Sequence, residues 1–235
     1  MKTIAIDTSL PEGSVAASDG THTAEIRFAP AQTHARRIAA ALAEATSQLG
    51  WQPADAELVA VVRGPGSFTG LRVGIATAKG IAWAGGAPLV GLSGFEVIAA
   101  SHRFPATGPE APLHVAFDAG RGDLFVAVVA PDPASPIGWS APPGQLLAAG
   151  DWVASLPAAA HLSGPALDLE WMEASLALRP DLQIAPAGAR RSGAAATALL
   201  ARRLAAAGRT VAASLLAPEY SRPSYAQENA PRPSR

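Results

Sequence analysis

The chain has no cysteine. That absence excludes disulfides, thiolate nucleophiles and cysteine-bound zinc or iron–sulfur centres together, and it suits a reducing compartment. Surplus charge is missing as well: Lys+Arg 18 stand against Asp+Glu 19, a formal net charge of -1. No global field is available to hold a polyanion, so any contact with nucleic acid is expected to be local or indirect. Lysine is nearly absent, with only Lys2 and Lys79, while Ala and Arg abound. This pattern follows base composition and implies no chemistry. Long apolar runs are lacking too. The longest, IATAKGIAWAGGAPLVGL, is broken by Lys79, Gly80, Gly85, Gly86 and Pro88, whereas a bilayer span needs roughly 20 predominantly apolar residues. The start, MKTIAIDTSL, reaches Asp7 before any apolar run is long enough for a signal peptide. A soluble, cytoplasmic protein that meets no membrane is expected.

What is present reads as alternating strands and helices. KTIAIDTS, SVAAS and THTAEIRFA are three short strands separated by the turn signals around Gly13 and Asp19-Gly20. From Thr33, a candidate N-cap, the period becomes helical, with Ala35, Ile38, Leu42, Ala45 and Leu49 on one face and Gly50 as the stop. ELVAVV is a continuous apolar strand leading into a glycine stretch and a helix over about 71–84, and PLVGLSG is a further buried strand. A short helix over 94–101 then runs into the Pro-rich RFPATGPEAP, the candidate linker. Beyond it LHVAFDAGRGDLFVAVVA repeats the grammar of IAIDTSLPEGSVAAS: an apolar strand ending in Asp, a Gly-containing turn and a second strand. A Pro-broken region, a short strand at HLSG and an Ala-rich helix over about 193–207 follow. This organisation predicts two duplicated halves, residues 1–104 and 105–222, and a disordered tail over 223–235.

Three motifs bear on chemistry. Asp7-Thr8-Ser9 and Asp118-Ala119-Gly120 each place a carboxylate at a strand end beside a turn, the arrangement in which a carboxylate orients magnesium while turn amides meet phosphate. An isolated Asp there more often caps its own turn. Two at equivalent places weigh against that reading without establishing catalysis. The stretch RGPGSFTGLRVG, residues 63–74, fails both phosphate-loop patterns: Gly70 is followed by Leu71 and Arg72 where a Walker loop has Lys and Ser or Thr, and Gly64, Gly66 and Gly70 are spaced GxGxxxG. What remains is a tight turn and a stripe of small residues, Gly70, Gly74, Ala78 and Ala82, along one helix face. The stripe admits a close neighbour, either the chain's own sheet or another helix. His34 opens the first helix, but the position one turn on is Ile38, so no helical metal site is expected. No serine sits in a G-x-S-x-G elbow. Tyr220, Arg222 and Tyr225 in PEYSRPSYAQ are a candidate stacking or phosphate contact, more ordinarily a tail packed on the body.

IAIDTS, His34 at the head of the first helix, GPGSFTGLRVG, DAGRGDLFVA and PEYSRP, in this order, resemble the TsaB (YeaZ) family of bacterial tRNA-modification proteins. The glycine stretch is the most specific part of the likeness; the Asp118 segment and the tail match loosely. The resemblance implies an α/β ASKHA fold of the actin and sugar-kinase kind, built from two ribonuclease H-like subdomains. It implies a non-catalytic partner of TsaD, the paralogue that carries the metal between two helical histidines and transfers threonylcarbamoyl to the adenosine beside the anticodon of tRNAs reading codons that begin with A. TsaE and, through the complex, tRNA are implied further partners, with a homodimer when TsaD is absent. No tightly bound cofactor is implied, though ATP or ADP with magnesium would fit at the TsaD interface. The implied interface residues are His34, Ile38, Leu42, Gly70, Leu71, Gly74, Ile75 and Ala78, and the vestigial nucleotide contacts are Asp7, Thr8, Ser9 and Asp118. On this reading Gly74→Leu is expected to abolish partner binding while leaving the fold intact. An active ASKHA ATPase or small-molecule kinase using Asp7 and Asp118 is the alternative; a metal-dependent peptidase lacks its second histidine.

Overall fold

The computed structural model describes residues 1–28, 34–101 and 111–219, which form two units, one on a five-stranded and one on a six-stranded sheet, joined by shared helices. The first sheet has the order β3-β2-β1-β4-β5, built from β1 (Thr3–Asp7), β2 (Gly13–Ser18), β3 (Thr23–Phe28), β4 (Leu58–Gly64) and β5 (Leu89–Ser93). β1 to β3 are an antiparallel meander, and β4 and β5 join β1 in parallel. Every residue of β1 and β2 is buried. Ile4, Ile6, Val15, Val59 and Val61 point to one face, Ala5, Ala16, Leu58, Ala60 and Val62 to the other. The period of two thus loads both faces, and each must be covered by helices.

The second unit repeats the order. β6 (Leu113–Gly120), β7 (Asp123–Pro131), β9 (Gln145–Ala148), β10 (His161–Ser163) and β11 (Gln183–Ile184) form β9-β7-β6-β10-β11, again an antiparallel meander extended by two parallel strands. A short strand β8 (Trp139–Ser140) pairs with the end of β7. The weak echo between IAIDTSLPEGSVAAS and LHVAFDAGRGDLFVAVVA is therefore a repeat of topology: the duplicated ribonuclease H-like arrangement of an ASKHA fold.

Helices α1 (His34–Ser47) and α2 (Phe68–Gly85) cover one face of the first sheet, with Ile38, Ala41, Leu42, Ile75 and Ala78 in its core. The other face is covered by α3 (Gly94–Ser101) and, from the far end of the chain, by α6 (Ala194–Ala206), whose Ala194, Ala198, Leu200 and Ala201 meet Ala5, Ala16 and Ala60. Chain order alone assigns α6 to residues 105–222; its packing assigns it to the first unit. Alanine on both sides explains the match, since small side chains let helix and sheet approach closely. α4 (Ala149–Ser155) and α5 (Glu170–Ala177) cover the second sheet with Trp152, Val153, Met172 and Leu176. Its other face rests on α3: Phe95 and Ile98 join Val115, Phe117 and Phe125, with Phe95 and Phe117 edge to face at 5.3 Å. α3 is thus a wedge shared by both units. The predicted linker falls mostly on residues 102–110, and the predicted tail together with Tyr220, Arg222 and Tyr225 on 220–235; both lie outside the described residues. Thr33 lies outside them as well.

Two side chains cap the start of α3: Ser93 Oγ accepts from the Phe95 amide at 3.3 Å, and Glu96 Oε2 accepts from the Ser93 amide at 2.9 Å. Residues after α6 run back along β5, where Val211 bridges Leu89 and Leu216 packs over Gly91, to the Glu219 amide bonded to the Arg63 carbonyl at 2.7 Å. Burial pushes the Glu96 carboxyl above its ordinary 4.5; the Ser93 amide and Arg63 pull it down, while the Glu219 carboxylate pushes it further up. A carboxyl whose pKa rises on folding stabilises the fold below its unfolded value and loses that contribution as pH climbs through the folded value. Glu96→Gln, which keeps the acceptor for Ser93, should flatten the stability–pH curve above about pH 4.5 and leave the protein at least as stable as the parent at pH 7. Urea titrations across pH test this; a parent curve that rises over the same interval because of Glu96 would contradict it.

Candidate functional site

The glycine stretch is shaped by the strand beside it. β1 ends at Asp7, and the chain leaves the sheet through Thr8 and Ser9, both buried. The Ser67 amide donates to the Ser9 carbonyl at 2.8 Å, and Thr8 Oγ1 donates to the Gly70 carbonyl at 2.7 Å. A β-carbon on Gly66 would strike the Ser9 carbonyl, one on Gly70 the Thr8 carbonyl, and one on Gly74 the Thr8 hydroxyl. Gly64 and Gly66 also hold φ of +140° and +152°, where other residues are strained. Ser67 then caps α2, its hydroxyl accepting from the Gly70 amide at 3.2 Å. So RGPGSFTGLRVG lays one backbone directly on another.

This settles which neighbour the small-residue stripe admits. Gly70, Gly74, Ala78 and Ala82 are all buried in α2, and the two glycines face Thr8 of the same chain. Leu71, Ile75, Ile38 and Leu42 are buried too. Of the eight residues that the resemblance implies for the interface, seven are packed inside this chain. The eighth, His34, opens α1, and its side chain lies outside the described residues. The helical period leaves the direction of such a stripe open. Residues spaced by four mark a face without saying which way it looks, and the outward faces of the same helices carry other residues. On α2 these are Phe68, Thr69, Arg72, Ala76, Gly80 and Trp83; on α1, Arg36, Arg37, Ala39, Ala40, Ala43 and Glu44. Trp83 is 86% exposed, and Arg72 stacks on Phe68 at 3.8 Å.

Asp118 lines a cleft of about 480 Å³ between the two units, with Ser9, Glu12, Ser67, Phe117, Arg191 and Ser192 among its other walls, and Asp7 lies behind Ser9 and Ser192. The surroundings of the two carboxylates differ. Asp7 is buried and taken up by its own chain: Oδ1 accepts from the Ser9 amide at 3.0 Å and the Ser9 hydroxyl at 2.6 Å, and Oδ2 from the Ser192 hydroxyl at 2.5 Å. Asp118 is exposed and accepts from the Gly120 amide at 2.7 Å. Thr8 points away into α2. A cation at Asp7 would therefore have to displace two hydroxyls. Among the described residues no three His, Asp or Glu side chains gather as a metal site, and no helix is long and apolar enough to cross a membrane.

Ser192 is the residue that sequence reasoning missed. It lies in the Arg-Arg-Ser-Gly run before α6, 185 positions from its partner, and carries no local signal.

The model of the TsaD family, tRNA N6-adenosine threonylcarbamoyltransferase, matches residues 28–130. The chain is 38% identical over 94 residues to the tRNA threonylcarbamoyladenosine biosynthesis protein TsaB of Escherichia coli, covering 40% of each chain. It is 32% identical over 129 residues to that of Bacillus subtilis, covering 54% of this chain and 55% of the relative. The chain thus spans about half the length of the curated relatives it matches. In fold the likeness is nearly complete: YeaZ from Pseudomonas aeruginosa superposes with a TM-score of 0.75 over 93% of this chain and 99% of its own, at 21% identity. These matches bear out the resemblance read from the motifs.

The buried orientation of Gly74 reverses what a substitution there should do. Even Gly74→Ala should destabilise by about 1–3 kcal/mol, the usual cost of overpacking, despite a helix-propensity gain of about 1 kcal/mol; Gly74→Leu should not fold. Urea denaturation measures both. An unchanged midpoint for Gly74→Ala would mean that α2 does not lie on Thr8 as described.

Proposed function

We propose that this chain, TsaB/YeaZ-like in its motifs and in its fold, is a non-catalytic subunit in threonylcarbamoyladenosine modification of tRNA that docks the transferase TsaD through the outer face of α1 and α2. The observation that carries the reading is that outer face. Ala39, Ala40 and Ala43 on one helix and Ala76 and Gly80 on the next are exposed, so a partner's helices can come to within the 8–10 Å at which helices pack. Trp83 stands at one end, 86% exposed, as a large rigid side chain of the kind that anchors interfaces. The Arg72–Phe68 stack holds the other end.

On this reading TsaE joins the same cytoplasmic assembly, tRNA is met through TsaD, and two copies of this chain pair through the same face when TsaD is absent. ATP or ADP with magnesium would sit at the TsaD interface. The competing reading, an ATPase or small-molecule kinase in its own right, would use the cleft between the units. There Asp7 would first have to release Ser9 and Ser192, which is why the subunit reading is preferred.

Ala76→Arg places a charged side chain on the outer face without touching the core. It should weaken TsaD binding by about 2 kcal/mol or more, roughly thirtyfold in Kd, with melting unchanged, and Trp83→Ala should act in the same direction. In reconstituted transfer to tRNA, omission of this chain should abolish product. Native affinity of a folded Ala76→Arg protein would remove the proposed face, and magnesium-dependent ATP turnover by the isolated chain would favour the competing reading.

A further inference from the structure

The two units meet in two unlike ways. Along α3 the contact is apolar: Phe95, Ile98 and Ala99 lie on Phe117 and Phe125, and Val97 faces the core shared with α6. At the cleft it is polar and concentrated on one strand of chain, residues 190–195, which crosses from the second unit back to the first. Arg190 holds the second unit through Asp168 at 3.0 Å and the Ala185 carbonyl at 2.6 Å. Ser192 holds Asp7 of the first, and the Ala194 and Ala195 amides donate to Ser14 Oγ at 2.9 Å and Glu25 at 3.1 Å. Between them Arg191 spans the cleft itself. Its guanidinium lies 3.1 Å from Asp168 in the second unit and 3.7 Å from Glu12 in the β1–β2 turn of the first. Arg27 reaches Glu12 from β3 at 3.7 Å and also pairs with Glu25 at 3.0 Å.

We propose that Arg191 and Ser192 form a clasp that fixes the width of the cleft, with the apolar seat of α3 as the pivot about which the units swing when the clasp is open. An apolar contact is non-directional and tolerates small rotations, whereas the hydrogen bonds and ion pairs at the cleft hold only over a narrow range of distance and angle. The clasp has two parts of different character. The Arg191 pairs are partly exposed and are screened by salt. The Asp7–Ser192 bond is buried and is not. Asp7 is then a positioning residue in the fold, holding the crossover before α6 rather than a ligand.

The absence of cysteine makes the test clean, because Thr69→Cys beside the first wall and Glu173→Cys beyond the second, both exposed, can carry the only two spin labels, with the labelled chain diluted into an excess of unlabelled chain so that pairing of copies through α2 contributes no distances. Pulsed dipolar spectroscopy then reads the distance across the cleft. The parent should give one population. Arg191→Ala and Glu12→Gln should each add a longer one, Arg191→Ala/Ser192→Ala should make it dominant, and 1 M sodium chloride should shift the parent towards Arg191→Ala while leaving Arg191→Ala itself unchanged. A folded double variant with the parent's distribution would overturn the clasp. If that variant does not fold, Glu12→Gln and the salt titration decide, and no change in either overturns it equally.

Discussion

The contact between the exit of β1 and the start of α2 is the constraint on which the rest of this structure depends. Thr8 and Ser9 leave the sheet under Gly66, Gly70 and Gly74: the first two glycines lie directly on the Ser9 and Thr8 carbonyls, and the third on the Thr8 hydroxyl. That approach sets where α2 lies over β1 and β4, and α1 packs beside α2 on the same sheet face. It also turns the Ser9 amide and hydroxyl towards Asp7, which fixes one wall of the cleft. A bulkier residue at any of the three glycines would lift α2 from the sheet and alter both the helical face and the cleft.

The second unit repeats the strand order but not this contact, and the difference shows what the duplication has become. Asp118 stands at the end of β6 as Asp7 stands at the end of β1, yet one is exposed with a single turn amide and the other is buried under three donors. Among the described residues of the unit around Asp118 no helix is packed on the strand exit through glycines, and the short α4 and α5 cover its sheet. α6, which follows the second unit in the chain, has been given over to the first. The two units are therefore alike in sheet and unlike in what surrounds the carboxylate. A common topology does not make a common chemistry.

Much of the architecture was legible because it rests on local pattern. The strands β1 to β5 follow from β-branched runs bounded by turn residues, α1 and α2 from helical periodicity, and the duplication from two Asp-terminated hairpins. α4, α5, β9 and β11 were not legible: they are short, their apolar residues are few, and their strands are held by neighbours rather than by propensity. At the site, the failure of the glycine stretch as a phosphate loop was readable from spacing alone. The Asp7–Ser192 bond was not, because it joins residues 185 positions apart and either residue alone is an ordinary polar group.

The direction of the small-residue stripe illustrates a general ambiguity of helical spacing. α2 carries two stripes at helical spacing: Gly70, Gly74, Ala78 and Ala82 inward, and Ala76 and Gly80 outward, flanked by Arg72 and Trp83. In sequence both look like invitations to a close neighbour. What separates them is the cost of error on each side. At Gly70 and Gly74 the inner stripe meets the carbonyl oxygen and the hydroxyl of Thr8, just past the end of β1, where even a methyl group has no room; the outer stripe meets solvent, where a larger residue costs nothing to the monomer. Small residues in the inner stripe are therefore explained by the fold alone. Those in the outer stripe are not, since the isolated chain has no use for glycine at position 80, about 1 kcal/mol worse than alanine in a helix. That asymmetry is what the proposed docking face rests on: the outer stripe lies on the same helix whose inner face the fold already occupies.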